Sequence, residues 1–302
     1  MKEQFLAKLE ELTDKSRIFI REPMKKHTTF RVGGPADVLV RPDEKALPQI
    51  IRLCRKEEVP YFILGNGSNL LVADRGIRGV VIETPGGMED IRVEGDRIVA
   101  QAGAMLSKIA STAASSGLSG MEFAAGIPGT VGGAVVMNAG AYGGEMKDII
   151  EKVTVLNRDG DESELSCEEL ELSYRHSCIP QKEYIVKSVV LKLHPGEEEM
   201  IREQMKELNE KRVEKQPLQY PSAGSTFKRP EGYFAGKLIM DAGLKGYQVG
   251  GAQVSEKHCG FVINKGNATA ADICQLMQDV SDRVEKQFGV VLEPEVKMIG
   301  EF

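Results

Sequence analysis

Apolar residues recur along the chain at two spacings, which predicts a mixture of helices and strands. The clearest helical pattern lies near the end, where Thr269 is the predicted N-cap, Asp272 stands three residues on, and Gly289 follows as a stop signal. Its apolar stripe comprises Ile273, Leu276, Met277, Val280, Val284 and Phe288. A second, short amphipathic helix at the start is predicted from Phe5, Leu6, Leu9 and Leu12.

Short apolar runs bounded by turn residues predict strands in the first 85 residues. A Gly-Pro turn precedes a strand within 31–42, and further strands are expected at 61–65, 70–74 and 79–84. A helix that opens at Pro42 and ends near Glu58 follows the first strand. Residues 1–85 therefore indicate the N-terminal helix and a small β-α-β-β unit.

Two further domains are predicted from the rest of the chain. Residues 86–196 contain three strand candidates, a helix over 105–117 and a long glycine-rich run. The pattern breaks at His194-Pro195-Gly196, after which a helix begins at Glu197 and is stopped by Pro217. The mixture predicts an α+β fold with domains at 1–85, 86–196 and 197–302.

Charge and cysteine content limit the class of protein. The formal net charge is −6, so a nucleic-acid partner is not expected. The five cysteines show no CxxC pair, and the four histidines are scattered, so we predict reduced thiols and no metal site. The first residues lack an apolar signal segment and no window is long enough to cross a membrane, which predicts a cytoplasmic protein without a membrane partner.

Two glycine-rich stretches are candidate cofactor sites. The first is Gly65-Asn66-Gly67-Ser68-Asn69, and the second runs over 126–144. Glycine lets backbone amides approach a ligand closely, and consecutive amides can bind a pyrophosphate. Neither stretch has the spacing of a Rossmann fingerprint or a Walker-A ending, which disfavours an NAD-type dehydrogenase. Both stretches could instead be plain turns. The apolar segment AVVM within the second stretch is expected to be a buried loop wrapped on a ligand.

Separated motifs give the chain a resemblance to a known family. GNGSN after a buried strand, followed by GIPGTVGGAVVMNAGAYG, resembles an FAD domain of the vanillyl-alcohol-oxidase (PCMH) type. TTFRVGGPA, LSYRHS, PSAGSTFKRP, AGLKGYQVGGAQVSEKHCGFVIN and LEPEVKMIG are similar to UDP-N-acetylenolpyruvoylglucosamine reductases. The resemblance extends from about Thr28 to Gly300, and the chain looks like the shorter of the two subtypes.

The resemblance implies a fold and a reaction. It implies a two-part FAD-binding domain followed by a C-terminal α+β substrate-binding domain. Bound FAD, held without a covalent link, is expected to be reduced by NADPH and to reduce the enolpyruvyl group of a UDP-sugar to the lactyl ether of UDP-N-acetylmuramate. A monomer or a weak oligomer is expected.

The resemblance also assigns residues. It implies catalytic roles for Arg175, Ser225 and Glu295, and substrate contacts for Lys228, Arg229 and Tyr174. The cofactor is expected at Gly65, Asn66, Gly67, Ser68, Asn69, Gly126, Pro128, Gly129, Thr130, Val131, Gly133, Ala134, Asn138, Ala139 and Gly140.

Each catalytic assignment has a physical reason and an alternative. The fork of Arg175 can bind the substrate carboxylate bidentately, although the residue alone could be an ordinary surface arginine. Ser225 can protonate a strongly basic carbanion, whereas Ser222 is the default turn serine. Glu295 is either a protonated hydrogen-bond donor or a residue that orients Arg175, with Glu293 as the adjacent competitor.

Two other functions remain open from the sequence. One is an FAD oxidase of a sugar acid or a lactone on the same scaffold, and rapid reoxidation by oxygen would favour it. The other is a non-catalytic UDP-sugar-binding module, which a colourless protein that binds the sugar would favour.

Overall fold

The structure is a computed structural model that describes residues 3–302. Its α-helices within that range are α1 Glu3–Leu12, α2 Ala46–Lys56, α3 Leu106–Ser115, α4 Val131–Met137, α5 Glu198–Lys215, α6 Ala235–Asp241 and α7 Ala270–Phe288. Its strands are β1 Ile18–Pro23, β2 Pro35–Val40, β3 Tyr61–Leu64, β4 Leu70–Val72, β5 Ile77–Glu83, β6 Ile91–Glu94, β7 Arg97–Gln101, β8 Leu118–Ser119, β9 Gly140–Ala141, β10 Gly144–Glu145, β11 Ile150–Leu156, β12 Glu162–Ser166, β13 Ile185–Lys192, β14 His194–Pro195, β15 Ser222–Ser225, β16 Gln248–Val249, β17 Ala252–Val254, β18 Phe261–Asn264 and β19 Lys297–Ile299.

The chain packs as two compact units. Within the described range, the first comprises residues 3–20, 38–66 and 79–212, and the second comprises residues 21–37, 67–78 and 213–302. Two early segments therefore pack with the C-terminal part of the chain. The division into three domains at 85 and 196 stays a prediction.

The first unit contains two hydrophobic cores. The smaller core joins α1 and α2 to strands of a four-stranded sheet with the order β1-β2-β5-β3, and both Leu9 and Ile50 are fully buried there. The larger core packs α3 and α4 with a five-stranded antiparallel sheet of order β12-β11-β13-β7-β6. Burial of the aliphatic side chains in these two cores is the main contribution to the free energy of folding of this unit.

The second unit is built around α7. Its core combines α6 and α7 with the antiparallel sheet β15-β18-β17-β16. The predicted cap is confirmed, because Thr269 and Asp272 form a capping box and Gly289 ends the helix with φ 68°. The Asp74 carboxylate also accepts hydrogen bonds from the N–H groups of Ala270 and Ala271, which satisfies two more donors of the first turn.

The helices and strands predicted from the sequence are found with differences, and further strands are present. Phe288, the last member of the predicted apolar stripe, is 36% exposed, because it lies in the final turn. Strands β1, β6 and β12 and the sheet β15-β18-β17-β16 were not predicted from the sequence. Strand β4 does not join its sequence neighbours β3 and β5 but pairs in parallel with β19, an arrangement that sequence adjacency does not reveal. The α+β class itself is confirmed.

Candidate active site

The two glycine-rich stretches meet within the first unit. The Asn66 side chain donates a hydrogen bond from Nδ2 to the Pro128 carbonyl oxygen at 2.8 Å. A Cβ built on Gly65 would lie 2.5 Å from Thr130 Oγ1, so this close approach requires glycine. We call Gly65, Asn66, Pro128 and Thr130 the glycine junction.

Backbone hydrogen bonds hold the second stretch against the segment that follows β7. The Leu106 N–H donates to Gly129 O at 3.0 Å, and the Val131 N–H donates to Ala104 O at 2.9 Å. The Gly132 N–H donates to Ala102 O at 2.9 Å, and a Cβ on Gly132 would lie 2.9 Å from the Ala102 Cβ. The loop before α4 is therefore fixed by the main chain.

The expected buried loop at AVVM is wrong, because these residues belong to helix α4. Val131 and Val135 are fully buried, and a helix satisfies their backbone groups internally where a buried loop would not. Thr130 caps the helix, since its Oγ1 accepts a hydrogen bond from the Gly133 N–H at 3.3 Å. Ala134 continues the helix and is buried.

Asn138 ends α4 in a left-handed conformation with φ 40° and ψ 59°. Only 1% of it is exposed, and its Nδ2 donates to Glu145 Oε2 at 2.5 Å and to Ser173 O at 3.2 Å. Its Oδ1 accepts from the Lys147 N–H at 2.9 Å. Because protein partners occupy this amide, Asn138 holds the loop in place. Ala139 and Gly140 follow it, and Gly140 pairs with Glu145 in the β9–β10 hairpin.

The rest of the first stretch belongs to the second unit. Gly67 has φ +59°, and a Cβ there would lie 2.0 Å from His27 O, so glycine is required. Ser68 is half-buried. The Asn69 side chain donates from Nδ2 to Glu295 O at 3.1 Å, and the Lys297 N–H donates to Asn69 O at 2.9 Å. Asn69 therefore positions the backbone around Glu295.

Ser225 and Glu295 come close together through the main chain of the second unit. Ser225 ends β15, where it pairs with Phe261 of β18, and it is partly exposed. The next residue, Thr226, accepts a hydrogen bond on its carbonyl oxygen from the Glu295 N–H at 2.8 Å. The structure thus brings Ser225 and Glu295 close together, although they lie 70 positions apart in the sequence.

Burial separates the two candidate glutamates. Glu295 is 9% exposed, whereas the Glu293 side chain is 68% exposed and forms an ion pair with Lys228. The Lys228 N–H also donates to Glu293 O at 2.8 Å. Glu295 is therefore the enclosed carboxyl group, and Glu293 is a surface partner of Lys228.

The Arg229 side chain stacks on an exposed aromatic ring. Its guanidinium carbon lies 4.0 Å from the centroid of Phe234, and its Nε donates to Tyr233 O at 3.3 Å. Phe234 is 62% exposed. Arg229 and Lys228 thus give this part of the second unit two adjacent cations.

Tyr174 and Arg175 form the tip of a tight turn in the first unit. Ser173 and His176 exchange backbone hydrogen bonds at 3.2 and 3.1 Å on either side of the tip. Arg175 has φ 54°, which is uncommon for a residue other than glycine, and its guanidinium carbon lies 5.1 Å from the Tyr174 ring centroid. Tyr174 is 55% exposed.

Sequence reasoning missed Arg212. The residue lies in the last turns of α5, where a cation is expected on helix-dipole grounds alone, so no local signal marks it. In the structure its side chain packs beside Gly126 at the start of the second glycine-rich stretch.

Residues 3–302 lack two further features, a membrane-spanning helix and a cluster of metal-binding side chains. No helix in that range combines the length and the apolar character needed to cross a membrane. No cluster of three or more His, Cys, Asp or Glu side chains there has a metal-binding arrangement.

Comparisons with known proteins decide the family. Residues 216–299 match the family model described as the C-terminal domain of UDP-N-acetylenolpyruvoylglucosamine reductase, and residues 35–166 match an FAD binding domain. The UDP-N-acetylenolpyruvoylglucosamine reductase of Agathobacter rectalis is 56% identical over the whole of both chains, and that of Caldanaerobacter subterraneus is 54% identical over the same extent. The chain belongs to the UDP-N-acetylenolpyruvoylglucosamine reductase family.

Solved structures agree with this family. The crystal structure of UDP-N-acetylenolpyruvylglucosamine reductase from Thermus caldophilus superposes with a TM-score of 0.80 at 39% identity, covering 94% of this chain and 98% of that one. A variant of Phl p 4, a glucose oxidase, has a TM-score of 0.52 at 16% identity over 64% of this chain and 44% of its own, which is a likeness of fold alone. The expected FAD-domain fold is confirmed.

The matched regions contain most of the predicted site residues. The FAD-binding match includes the glycine junction and Asn138, and the C-terminal match includes Ser225, Lys228 and Glu295. Tyr174 and Arg175 fall between the two matched regions.

The residues at the glycine junction fit an FAD nucleotide. A Cβ on Gly133 would have only Thr130 Oγ1 within 4 Å, at 3.5 Å, so space for a ligand exists beside the first turn of α4. Exposed main chain without side chains lets a ligand approach the backbone closely.

Proposed function

We propose that this protein is an FAD-dependent reductase that uses NADPH to convert the enolpyruvyl group of UDP-N-acetylenolpyruvoylglucosamine to the lactyl ether of UDP-N-acetylmuramate, a peptidoglycan precursor. The observation that carries the proposal is full-length identity of 56% to a reductase of that name. The meeting of the two glycine-rich stretches in the region matched by an FAD binding domain supports it.

FAD is proposed to bind without a covalent link. The main-chain groups at Gly65, Gly67–Asn69 and 126–134 would hold it, and those at Ala139 and Gly140 would add contacts. Asn66 and Thr130 keep this backbone in position through the Pro128 carbonyl and the start of α4. Bound there, FAD would supply the hydride-transfer chemistry between NADPH and the substrate.

Arg175 is proposed to bind the substrate carboxylate. An enol ether is electron-rich and resists a hydride, so negative charge must spread into the attached carboxylate. A planar guanidinium can stabilise that charge with two hydrogen bonds. The place of Arg175 at the tip of the turn closed by Ser173 and His176 supports this role, because the turn presents the side chain away from the main chain. Tyr174 would contact the sugar nucleotide from the same turn.

Ser225 is proposed to donate the proton that completes the reaction. After hydride addition, the carbon next to the carboxylate becomes a strong base, so even a weakly acidic hydroxyl suffices. The partial exposure of Ser225 at the end of β15 leaves its hydroxyl accessible to a substrate. The buried Glu295, fixed by the Thr226 carbonyl and the Asn69 side chain, would assist at the carboxylate or orient Arg175.

Lys228 and Arg229 are proposed to bind the diphosphate. Both are cations next to Ser225 in sequence, and diphosphate needs positive charge. Lys228 pairs with the exposed Glu293 in the structure, so substrate binding would exchange that carboxylate for phosphate. A cytoplasmic location and a monomer or weak oligomer are also proposed, and the five free thiols support the former.

Product analysis tests the function. Purified protein is incubated with FAD, NADPH and the enolpyruvyl UDP-sugar, and the sugar is examined by mass spectrometry. The proposal expects the mass of the sugar to rise by two hydrogen atoms, with one NADPH consumed per sugar. NADPH consumption in air without change of the sugar would favour an oxidase, and an unreacted sugar bound to colourless protein would favour a binding module.

A further inference from the structure

Among the described residues 3–302, the Arg212 guanidinium is a cation without a carboxylate partner. Three other cations of α5 pair with carboxylates: Arg202 with Glu198 at 2.7 Å, Lys206 with Glu210 at 3.9 Å and Lys211 with Glu207 at 2.6 Å. Within residues 3–302 no ion pair or side-chain hydrogen bond involves Arg212. An exposed arginine could be satisfied by water, but Arg212 is partly buried.

The surroundings of Arg212 favour an anion. Burial lowers the pKa of its guanidinium, and the Tyr142 phenol has the opposite, smaller effect. Enclosing a charge without a partner is unfavourable, so such a residue is retained where a ligand supplies the opposite charge.

The position of Arg212 identifies which anion it would meet. A Cβ built on Gly126 would lie 3.2 Å from Arg212 Cδ, 3.8 Å from Nη1 and 3.9 Å from Nε. The side chain therefore rests against the main chain at Gly126, two residues before Pro128 of the glycine junction. Gly126 belongs to the region matched by an FAD binding domain.

We propose that Arg212 is an FAD-binding residue, which pairs with a negative charge of the bound cofactor. The proposal rests on the proposed function, because it takes FAD to be bound at the glycine junction. FAD offers two such charges, the pyrophosphate and the anionic ring of the reduced flavin. A forked guanidinium suits both. A side chain at Gly126 would press on the arginine stem, so glycine leaves room for Arg212 beside this segment.

The test measures FAD binding and flavin potential on three variants. Arg212→Met removes the charge and keeps the length of the stem, and Arg212→Lys keeps the charge but loses the fork. Lys211→Met is the matched control, because Lys211 is the neighbouring exposed cation and pairs with Glu207. Apoprotein is titrated with FAD for the Kd, the FAD-saturated protein is titrated for the two-electron potential, and circular dichroism checks the fold.

Either of two results supports the proposal. Pairing with the pyrophosphate predicts a Kd for FAD at least about tenfold weaker in Arg212→Met, with an intermediate value for Arg212→Lys. Pairing with the reduced ring predicts a potential at least about 30 mV more negative, equivalent to a tenfold weaker preference for reduced over oxidised FAD. Lys211→Met should match the wild type in both measurements.

Other results overturn it. A folded Arg212→Met protein with wild-type Kd and potential contradicts the proposal, even if its KM for the UDP-sugar rises. If Arg212→Met does not fold, Arg212→Lys decides, and wild-type values of both quantities in that variant refute the pairing. A wild-type protein that binds no FAD instead refutes the proposed function itself.

Discussion

The Asn66 side-chain amide donates a hydrogen bond to the carbonyl oxygen of Pro128, 62 positions later in the chain, at 2.8 Å. This bond joins the two glycine-rich stretches that the sequence marked separately. It connects the turn after β3 to the loop before α4. In the proposed function, both the affinity for FAD and the shape of its binding site depend on that connection.

Removing this bond should weaken FAD binding. Asn66→Ala loses a neutral hydrogen bond, which contributes about 0.5–1.5 kcal/mol, so the Kd for FAD should rise by about 2–10-fold. Flavin fluorescence titration of the apoprotein measures the effect. Gln49→Ala is the control, because the Gln49 amide donates a hydrogen bond to the Lys45 carbonyl on the exposed side of α2. Equal Kd values for the two variants would contradict the role of Asn66.

Gly133→Ala should separate folding from cofactor binding. A Cβ at Gly133 would meet only Thr130 Oγ1, at 3.5 Å, and alanine favours helix by about 0.5–1 kcal/mol over glycine, so the apoprotein should be unchanged or slightly more stable. FAD binding should nevertheless weaken, because the methyl group occupies the ligand space. Gly65→Ala should instead destabilise the apoprotein by about 1–3 kcal/mol through its contact with Thr130. Denaturant unfolding and FAD titration together check both variants, and unimpaired FAD binding by Gly133→Ala would place the cofactor elsewhere.

Arg175→Lys should lose most turnover. Lysine keeps the charge but cannot form the bidentate contact with the carboxylate, and loss of such a contact costs on the order of 10²-fold in kcat. Steady-state kinetics measure this, with NADPH-dependent flavin reduction as an internal check. Arg202→Lys, at an ion-paired surface position, should be unaffected. A normal kcat for Arg175→Lys would remove the residue from the mechanism.

Ser225→Ala should block only the second half of the reaction. Flavin reduction by NADPH should stay at the wild-type rate, whereas reoxidation by the enolpyruvyl sugar should slow by about 10²–10⁴-fold, the usual contribution of a general acid. Stopped-flow absorbance resolves the two steps. Ser222→Ala, at the other end of β15, is the control. The carbonyl oxygen of Ser222 accepts a hydrogen bond from Thr29 Oγ1, and alanine keeps that carbonyl. Reoxidation that is slowed in Ser222→Ala but not in Ser225→Ala would reverse the assignment.

Lys228→Ala should raise KM for the UDP-sugar by about 10-fold or more with little change in kcat, because a hydrogen bond to a charged group contributes about 1.5–3 kcal/mol. Glu293→Gln should lower KM, because it removes the carboxylate that competes for Lys228. Lys237→Ala, which breaks a surface pair with Asp241, serves as the control. An unaltered KM in both Lys228→Ala and Glu293→Gln would contradict the proposed replacement of the Glu293 carboxylate by the substrate phosphate at Lys228.

The helices could be predicted from the sequence because their signals are local. Thr269, Asp272 and Gly289 mark the ends of α7 through contacts within a few residues. The second glycine stretch was harder, because glycine disfavours helix by propensity, and the burial of Val131 and Val135 overrides it in α4.

The site depends on contacts that span the chain, which pattern alone does not reveal. Local sequence does not distinguish Glu293 from Glu295, and the difference in their burial becomes visible only in the structure. The pairing of β4 with β19 and the approach of Arg212 to Gly126 are likewise long-range. The resemblance to the family supplied the residue roles that local chemistry left open.

The most direct test of the proposed function is an anaerobic spectral titration of the FAD-loaded protein. NADPH is added first and the enolpyruvyl UDP-sugar second, while flavin absorbance is followed. The proposal predicts bleaching by NADPH and full recovery on addition of one equivalent of the sugar. Bleaching without recovery would contradict the assigned substrate, and the absence of a flavin signal after FAD is added would contradict the cofactor site.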